Sequence, residues 1–332
     1  TSNACPVCRE QIRMSHRNER ALYHRKCDLS GKQMISMYSP DKPYKVYEQS
    51  LWWSDEFNPL EYGRDFDFSR PFFEQFKELE LTVPKSSINN ARSENCDYTN
   101  YSAQNKNCYM VVGALGAEDC YYSYRIFYSR DICDCYDLYK CERCYECSES
   151  GNLYECFYSA NCHDSSNLWL CNDCIGCKDC FGCVNLRNKQ YYIYNQKFSA
   201  SDYKKKVEEL RLNLEKVRPD IENLQKTVPH RFVQQVQCEN VTGDQVWQCK
   251  DCTNVFTLKN SQDCAHVRIG ENNRDCMDCN FFDLCELQYY SCNNQENYNI
   301  LFSSLIWYCK NVFHCMNCFN SQFLFGCAGM KK

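Results

Sequence analysis

Five cysteines at a strict spacing of three, Cys171, Cys174, Cys177, Cys180 and Cys183 in the run CNDCIGCKDCFGC, are the residues best equipped for chemistry. A tetrathiolate zinc site needs four sulfurs about 2.3 Å from one ion, and this run has one to spare. Its C-x2-C-x2-C spacing also matches part of an iron–sulfur ligand run. Disulfides are a third use, since cysteines stacked on neighbouring strands bring Cα atoms within the roughly 4.4–6.8 Å that a bridge needs. Similar groups recur at Cys141, Cys144 and Cys147, at Cys249 and Cys252, at Cys276 and Cys279, and at Cys315 and Cys318. Runs of thiols offer no unique disulfide pairing, so zinc is the expected cofactor and an iron–sulfur cluster the second. Near the start, Cys5 and Cys8 are followed by His24 and Cys27 as C-x2-C-x15-H-x2-C, two close pairs of the kind that hold one tetrahedral zinc ion.

The elements that would position these thiols follow from a period of three. In triplets from Glu94, the third position from Cys96 to Cys183 holds 14 Cys, 6 Ser, 8 aliphatic residues, one Thr and one Asn. It holds no charged or aromatic residue, although these make up 24% and 15% of the chain, so every third side chain points into a confined interior. Neither a helix (period 3.6) nor a plain strand (period 2) sustains such a pattern. A β-solenoid does, with one inward side chain per triplet. Tyr109, Tyr121, Cys133, Tyr145, Phe157, Trp169 and Phe181 recur every twelve residues as a largely aromatic column. Two residues before each lies Asn107, Asp119, Asp131, Arg143, Glu155, Asn167 or Asp179, mostly types suited to a tight corner. Both columns predict coils of about twelve residues, stacked at the roughly 4.8 Å spacing of strands.

The expected organisation is therefore a zinc-ribbon-like module over 1–90, a first solenoid sector over 94–189, a helical insertion over 190–237 and a second sector over 238–332. In the first module, Ser69-Arg70-Pro71 before Phe72, Phe73, Phe76, Leu79 and Leu81 predicts a short amphipathic helix ending before Pro84. In the insertion, Tyr203, Val207, Leu210, Leu214, Val217, Ile221 and Leu224 form a one-sided seam, with Pro219 able to kink it or start a second helix. The seam suits packing on the solenoid or self-association. The second sector resumes the interior rule: of 28 third positions from Cys249 to Met330, one is aromatic and none charged. Cys133, Cys238 and Cys292 fall out of phase and are expected outside or in turns, as reactive thiols.

The stretches RNERALYHRKCDLSGKQMISMYSPDKPYKVY, WWSDEFNPLEYGRDFDFSRPFFEQFKEL and FGCVNLRNKQYYIYNQKFSASDY resemble uncharacterised cysteine-rich proteins of small-genome candidate-phyla bacteria. The resemblance covers most of the chain. It implies a zinc ribbon at the amino terminus and no particular activity. Members of that family usually pair C-P-x-C with an upstream C-x2-C and carry further cysteines where this chain has Ser30, Glu48 and Leu51 or its neighbours; without them a second zinc site is not expected, and His24 would substitute as a ligand. In architecture alone, the repeat resembles the twelve-residue coils of a beetle antifreeze protein, without the Thr-x-Thr face that binds ice.

Composition narrows the function. The chain of 332 residues has 30 Cys, only 11 Gly and 8 Pro, and a net charge of −5, which argues against a whole-chain nucleic-acid binder. The basic cluster Arg9, Arg13, His16, Arg17, Arg20, Arg25 and Lys26 is local, and is expected to be a solvated face. No apolar run approaches a membrane span and no secretory signal opens the chain, so membrane insertion is not expected and a reducing, cytoplasmic setting is. Phosphate loops, nucleophile elbows and HExxH are missing, so no enzymatic activity is expected. The sequence reads as a structural or interaction scaffold, self-associating and holding thiolate-bound metal. The alternatives are a thiol-based metal or redox protein, and a glycan or nucleic-acid binder using the aromatic column.

Overall fold

A computed structural model describes residues 5–15, 17–252, 255–259, 268–271, 276–277, 280, 287–294, 298–308, 310–320 and 322–331. The protein is mainly β. It divides into two compact units, Ile88–His230, and residues 1–87 together with Arg231–Lys332.

The unit Ile88–His230 is built on a twelve-stranded sheet. Its pairings are parallel and offset by twelve residues: Cys96 lies opposite Cys108, Ile132 opposite both Cys120 and Cys144, and Leu168 opposite Cys180. The exception is the antiparallel turn that pairs Gln190–Ile193 with Gln196–Lys197 and ends the repeat. There Asn195 closes the last rung, taking the Val184 N–H and donating to the Val184 carbonyl, both at 2.9 Å.

Backbone conformation sets the triplet. The residue before each inward side chain is left-handed, with φ near +50° at Asn95, Asn107, Asp119, Asp131, Asn167 and Asp179. The same turn occurs between those positions, at Tyr98, Gln104, Tyr122, Lys140 and Leu170 among others, so the chain bends once per triplet and four times per twelve residues. Asn and Asp adopt this region most readily, and other types are held there by their surroundings. Outer amides also bond rung to rung, Asn95 to Asn107 (3.2 Å) and Asn107 to Asp119 (3.0 Å) along one column and Asn152 to Asp164 (2.8 Å) along another.

The insertion folds as two helices, α4 (Ala200–Arg211) and α5 (Leu214–Thr227), after α1 (Pro6–Ser15), α2 (Gln49–Trp53) and α3 (Phe72–Thr82) of the other unit. The break falls at Leu212–Asn213 rather than at Pro219, which lies inside α5. Ser199 caps α4 by accepting the Asp202 N–H at 3.1 Å. The apolar seam turns onto the adjacent sheet: Tyr203, Val207, Val217 and Ile221 form one core with Leu170, Phe181 and Ile193. Gly182 permits the approach, since a Cβ there would meet the Tyr194 ring at 2.8 Å and Ile221 at 3.0 Å. Arg211 lies 4.1 Å from the Trp169 ring centre. Arg211→Ala is expected to weaken this contact by about 1 kcal/mol and to speed amide exchange across α4 alone. Unchanged α4 exchange would mean the apolar seam suffices.

In the other unit, an antiparallel pair, Tyr23–Lys26 with Gln33–Ser36, precedes α2 and α3. Helix α3 begins one residue past Pro71, and Ser69 bonds Asp67 instead of capping it. Trp52, Phe57, Val46, Val83 and Cys27 share a core with Phe319 and Ala328 from the end of the chain. The carboxy-terminal part repeats the parallel offset of twelve, as in Ile300 opposite Val312 and Cys292 opposite Ser304. No described helix is long and apolar enough to cross a membrane.

Candidate functional site: the buried thiol rows

From Thr99 to Cys183 every third side chain is at most 5% exposed. Cys108, Cys120, Cys135, Cys141, Cys144, Cys147, Cys156, Cys162 and Cys171 to Cys183 share this core with Ile126, Ile132, Leu138 and Leu168. Each thiol hydrogen-bonds its own triplet. The sulfurs of Cys141, Cys144, Cys147, Cys171 and Cys180 donate to the carbonyls two residues back, of Tyr139, Glu142, Tyr145, Trp169 and Lys178, at 3.4–3.5 Å. Serine does the same, as Ser150 to Ser148 (2.7 Å) and Ser165 to His163 (2.8 Å).

The second half of the arrangement is an acceptor role that spacing alone did not reveal. The γ oxygens of Ser123, Ser129, Ser150, Ser159 and Ser165 each accept the N–H of the inward residue twelve positions on, namely Cys135, Cys141, Cys162, Cys171 and Cys177, at 3.0–3.2 Å. Cys135 takes the Cys147 N–H in the same way at 3.3 Å, and Asn105 the Ala117 N–H at 2.9 Å. Amides twelve residues on also bond the sulfurs of Cys120, Cys141, Cys174 and Cys183. Buried amides need partners, and a γ oxygen or sulfur supplies one per rung while filling little space. The requirement explains why the interior uses Ser and Cys where a purely apolar core would use Ala and Val.

Sulfurs also meet sulfurs. Cys174 accepts hydrogen bonds from Cys162, Cys171 and Cys177, which hold its pKa well below the ordinary thiol value against the effect of burial. Cys183 is held at about 5 by Cys171 and Cys180. Their partners move the other way: hydrogen bonding to Cys174 and then burial raise Cys162, and burial foremost raises Cys171. Within this group Cys174 and Cys183 give up their protons first, and Cys162, Cys171 and Cys180 keep theirs.

The predicted ligands fall into distinct settings. Cys141, Cys144 and Cys147, and Cys171 to Cys183, are brought together in the core of Ile88–His230. Cys249 and Cys252 are buried and donate to Trp247 (3.1 Å) and Lys250 (3.2 Å). Cys315 and Cys318 are buried, and Cys315 is pushed up to about 12 by hydrogen bonding to Cys318, with burial adding. Cys276 lies in the strand Cys276–Met277, and Cys279 lies outside the described residues. At the amino terminus Cys5 and Cys8 are exposed, with sulfurs 3.4 Å apart. Cys27 is buried; burial works to raise its pKa but is outweighed by hydrogen bonds from Ser30, Glu48 and Leu29. His24 is exposed in its strand, opposite Ile35. Of the out-of-phase thiols, Cys133 and Cys238 are half-buried. Cys292, expected outside, is 3% exposed, bonded to Ser304 Oγ at 3.2 Å and near the charges of Arg17 and Arg13.

The interior thiols are already engaged, each giving a proton to a carbonyl and several, among them Cys135, Cys141, Cys174 and Cys183, also receiving an amide N–H. A thiolate there would face that carbonyl oxygen, so the donor set fits neutral thiols except at Cys174 and Cys183, which neighbouring thiols hold below the ordinary value. Among the described residues no group of three or more Cys, His, Asp or Glu is arranged to hold a metal ion, and none of the described cysteines is in a disulfide.

No family model matches the chain, and no curated protein does. Two solved structures give faint likenesses. One, from Desulfovibrio desulfuricans G20 and described as an acetyltransferase, has 11% identity and a TM-score of 0.14, over 81% of this chain and 74% of that one. The other, UDP-N-acetylglucosamine acyltransferase from Campylobacter jejuni, has 7% identity and a TM-score of 0.08, over 69% and 64%. Scores this low carry no argument about fold or activity.

The aromatic column is divided. Phe181 is fully buried beneath α4 and α5, and Trp169 stacks on Phe157 at 4.4 Å. Towards the other end, Tyr121 and Tyr122 are exposed, and Tyr109 packs edge-on against Tyr98 and Tyr122.

Proposed function

We propose that the protein is a non-enzymatic scaffold, a β-solenoid of twelve residues per coil whose interior cysteines are structural thiols. The observation carrying this reading is the rung-to-rung bridge, in which an inward Ser or Cys accepts the amide twelve residues on and donates to the carbonyl two residues back. Such an interior is spent on holding the chain, with its side chains closed to solvent. The surface then serves partners, and exposed Tyr98, Tyr121, Tyr122, Tyr128 and Tyr136 give it apolar contact area. Self-association belongs to this reading and is expected as a concentration-dependent mass in analytical ultracentrifugation; a monomer at every concentration would remove it.

Thiol counting with elemental analysis on purified native protein tests the interior. Most cysteines should resist a thiol reagent until denaturant is added, then react as free thiols, with zinc and iron each below one equivalent. Several equivalents of zinc, or visible absorption from an iron–sulfur cluster, would replace the structural-thiol reading with a metal-binding one.

A further inference from the structure

We infer that Cys5 and Cys8 form an exchange-active dithiol, acting on disulfide-bearing partners. The other described thiols are buried or half-buried, whereas these two are exposed and share a sulfur–sulfur contact of 3.4 Å. Helix α1 starts at Pro6, and the Cys5 carbonyl accepts the Arg9 N–H at 3.0 Å, so Cys5 stands at the cap and Cys8 one turn on along the same face. Residues three apart in a helix have Cα atoms about 5–5.5 Å apart, inside the range a disulfide spans, so the pair can close without moving the backbone. The cap position leaves the attacking sulfur open at the head of α1, ahead of its first turn. The C-x-x-C spacing then supplies the resolving sulfur.

In the reaction, the Cys5 thiolate attacks one sulfur of the partner disulfide, breaking that bond and releasing a thiolate that takes a proton from water. Cys8, its proton lost to solvent, attacks the Cys5 sulfur and displaces the partner's second thiolate, which is protonated in turn. The partner gains two electrons and two protons, and the Cys5–Cys8 disulfide holds the oxidised state. A dithiol partner runs the sequence backwards. Suitable partners are small or peptide disulfides with an accessible sulfur, since attack must be in line with the S–S bond.

The test exposes the reduced full-length protein to oxidised glutathione, followed by alkylation and peptide mass spectrometry. Wild type should yield a Cys5–Cys8 disulfide and little glutathione adduct. Cys8→Ser should trap glutathione on Cys5, about tenfold above wild type, and Cys5→Ser should leave Cys8 largely unmodified. Both side chains are exposed, so neither variant disturbs the core. The inference is overturned if wild type accumulates adducts on both sulfurs without closing the pair. It is also overturned if Cys5 and Cys8 resist oxidation and alkylation until a chelator is added, which would make them metal ligands.

Discussion

Raising the pH above about 9 should unfold this protein, and the interior thiols should be the cause. Cys141, Cys147, Cys162 and Cys180 are pushed up by hydrogen bonds to neighbouring thiols and then by burial, and Cys171 by burial foremost. At Cys144 the downward effect of Cys141 is outweighed by Cys147, Cys156 and burial. An acid whose folded pKa is raised keeps a proton that the unfolded chain releases. Its contribution is therefore complete below the unfolded value of 9.0 and is lost as pH climbs past it. Each such thiol loses about 1.4 kcal/mol per pH unit, so six lose on the order of 8 kcal/mol by about pH 10, against roughly 5–15 kcal/mol for a whole domain. Urea midpoints followed by circular dichroism should fall steeply above about pH 9, where the lowered Cys174 and Cys183 add no further stability, and Cys141→Ser with Cys144→Ser and Cys147→Ser should roughly halve that slope. Metal-bound thiolates would invert the dependence, with stability lost in acid, and a flat alkaline profile would sink the structural-thiol reading.

Removing three bridges at once should be nearly as damaging. Ser150, Ser159 and Ser165 accept the amides of Cys162, Cys171 and Cys177. Changing all three to Ala orphans three buried donors at about 1–3 kcal/mol each, or roughly 3–9 kcal/mol together. The matching triple change to Cys retains an acceptor on every rung, as Cys135 already does for Cys147, and should keep most of the stability. If the Ala and Cys triples unfold at the same denaturant concentration, the bridge contributes nothing and packing alone selects these residues.

The period of three was legible because charged and aromatic residues are excluded from one position in three, an exclusion that burial enforces directly. The twelve-residue offset could be read from Tyr109, Tyr121 and Tyr145 with Asn107 and Asp119, because side chains on neighbouring rungs stack and corners favour Asn and Asp. Left-handed backbone at Tyr98, Lys140 and Leu170 was not legible, since those types give no local sign of it and context imposes it. The role of the cysteines was obscured for a related reason. C-x2-C is the signature of a metal knuckle, but here it also arises wherever two successive triplets use sulfur, and the amide that Cys135 or Cys174 serves lies twelve residues away. The seam from Tyr203 to Leu224 was correctly read as helical and one-sided, whereas the break at Leu212–Asn213 carries no proline or glycine to announce it. At the amino terminus, spacing groups Cys5, Cys8, His24 and Cys27; the structure has His24 exposed on its strand and Cys27 bonded to the amides of Ser30 and Glu48.

The parallel offset of twelve has a genetic consequence. Deleting or duplicating twelve residues returns each remaining side chain to its own row, with each γ atom again opposite an inward amide. An indel of one or two codons turns every downstream inward residue outward. Length in such a chain is thus free to vary in whole rungs, while the reading of each rung is fixed. The antiparallel turn at Gln196–Lys197 marks where this counting stops in the unit Ile88–His230.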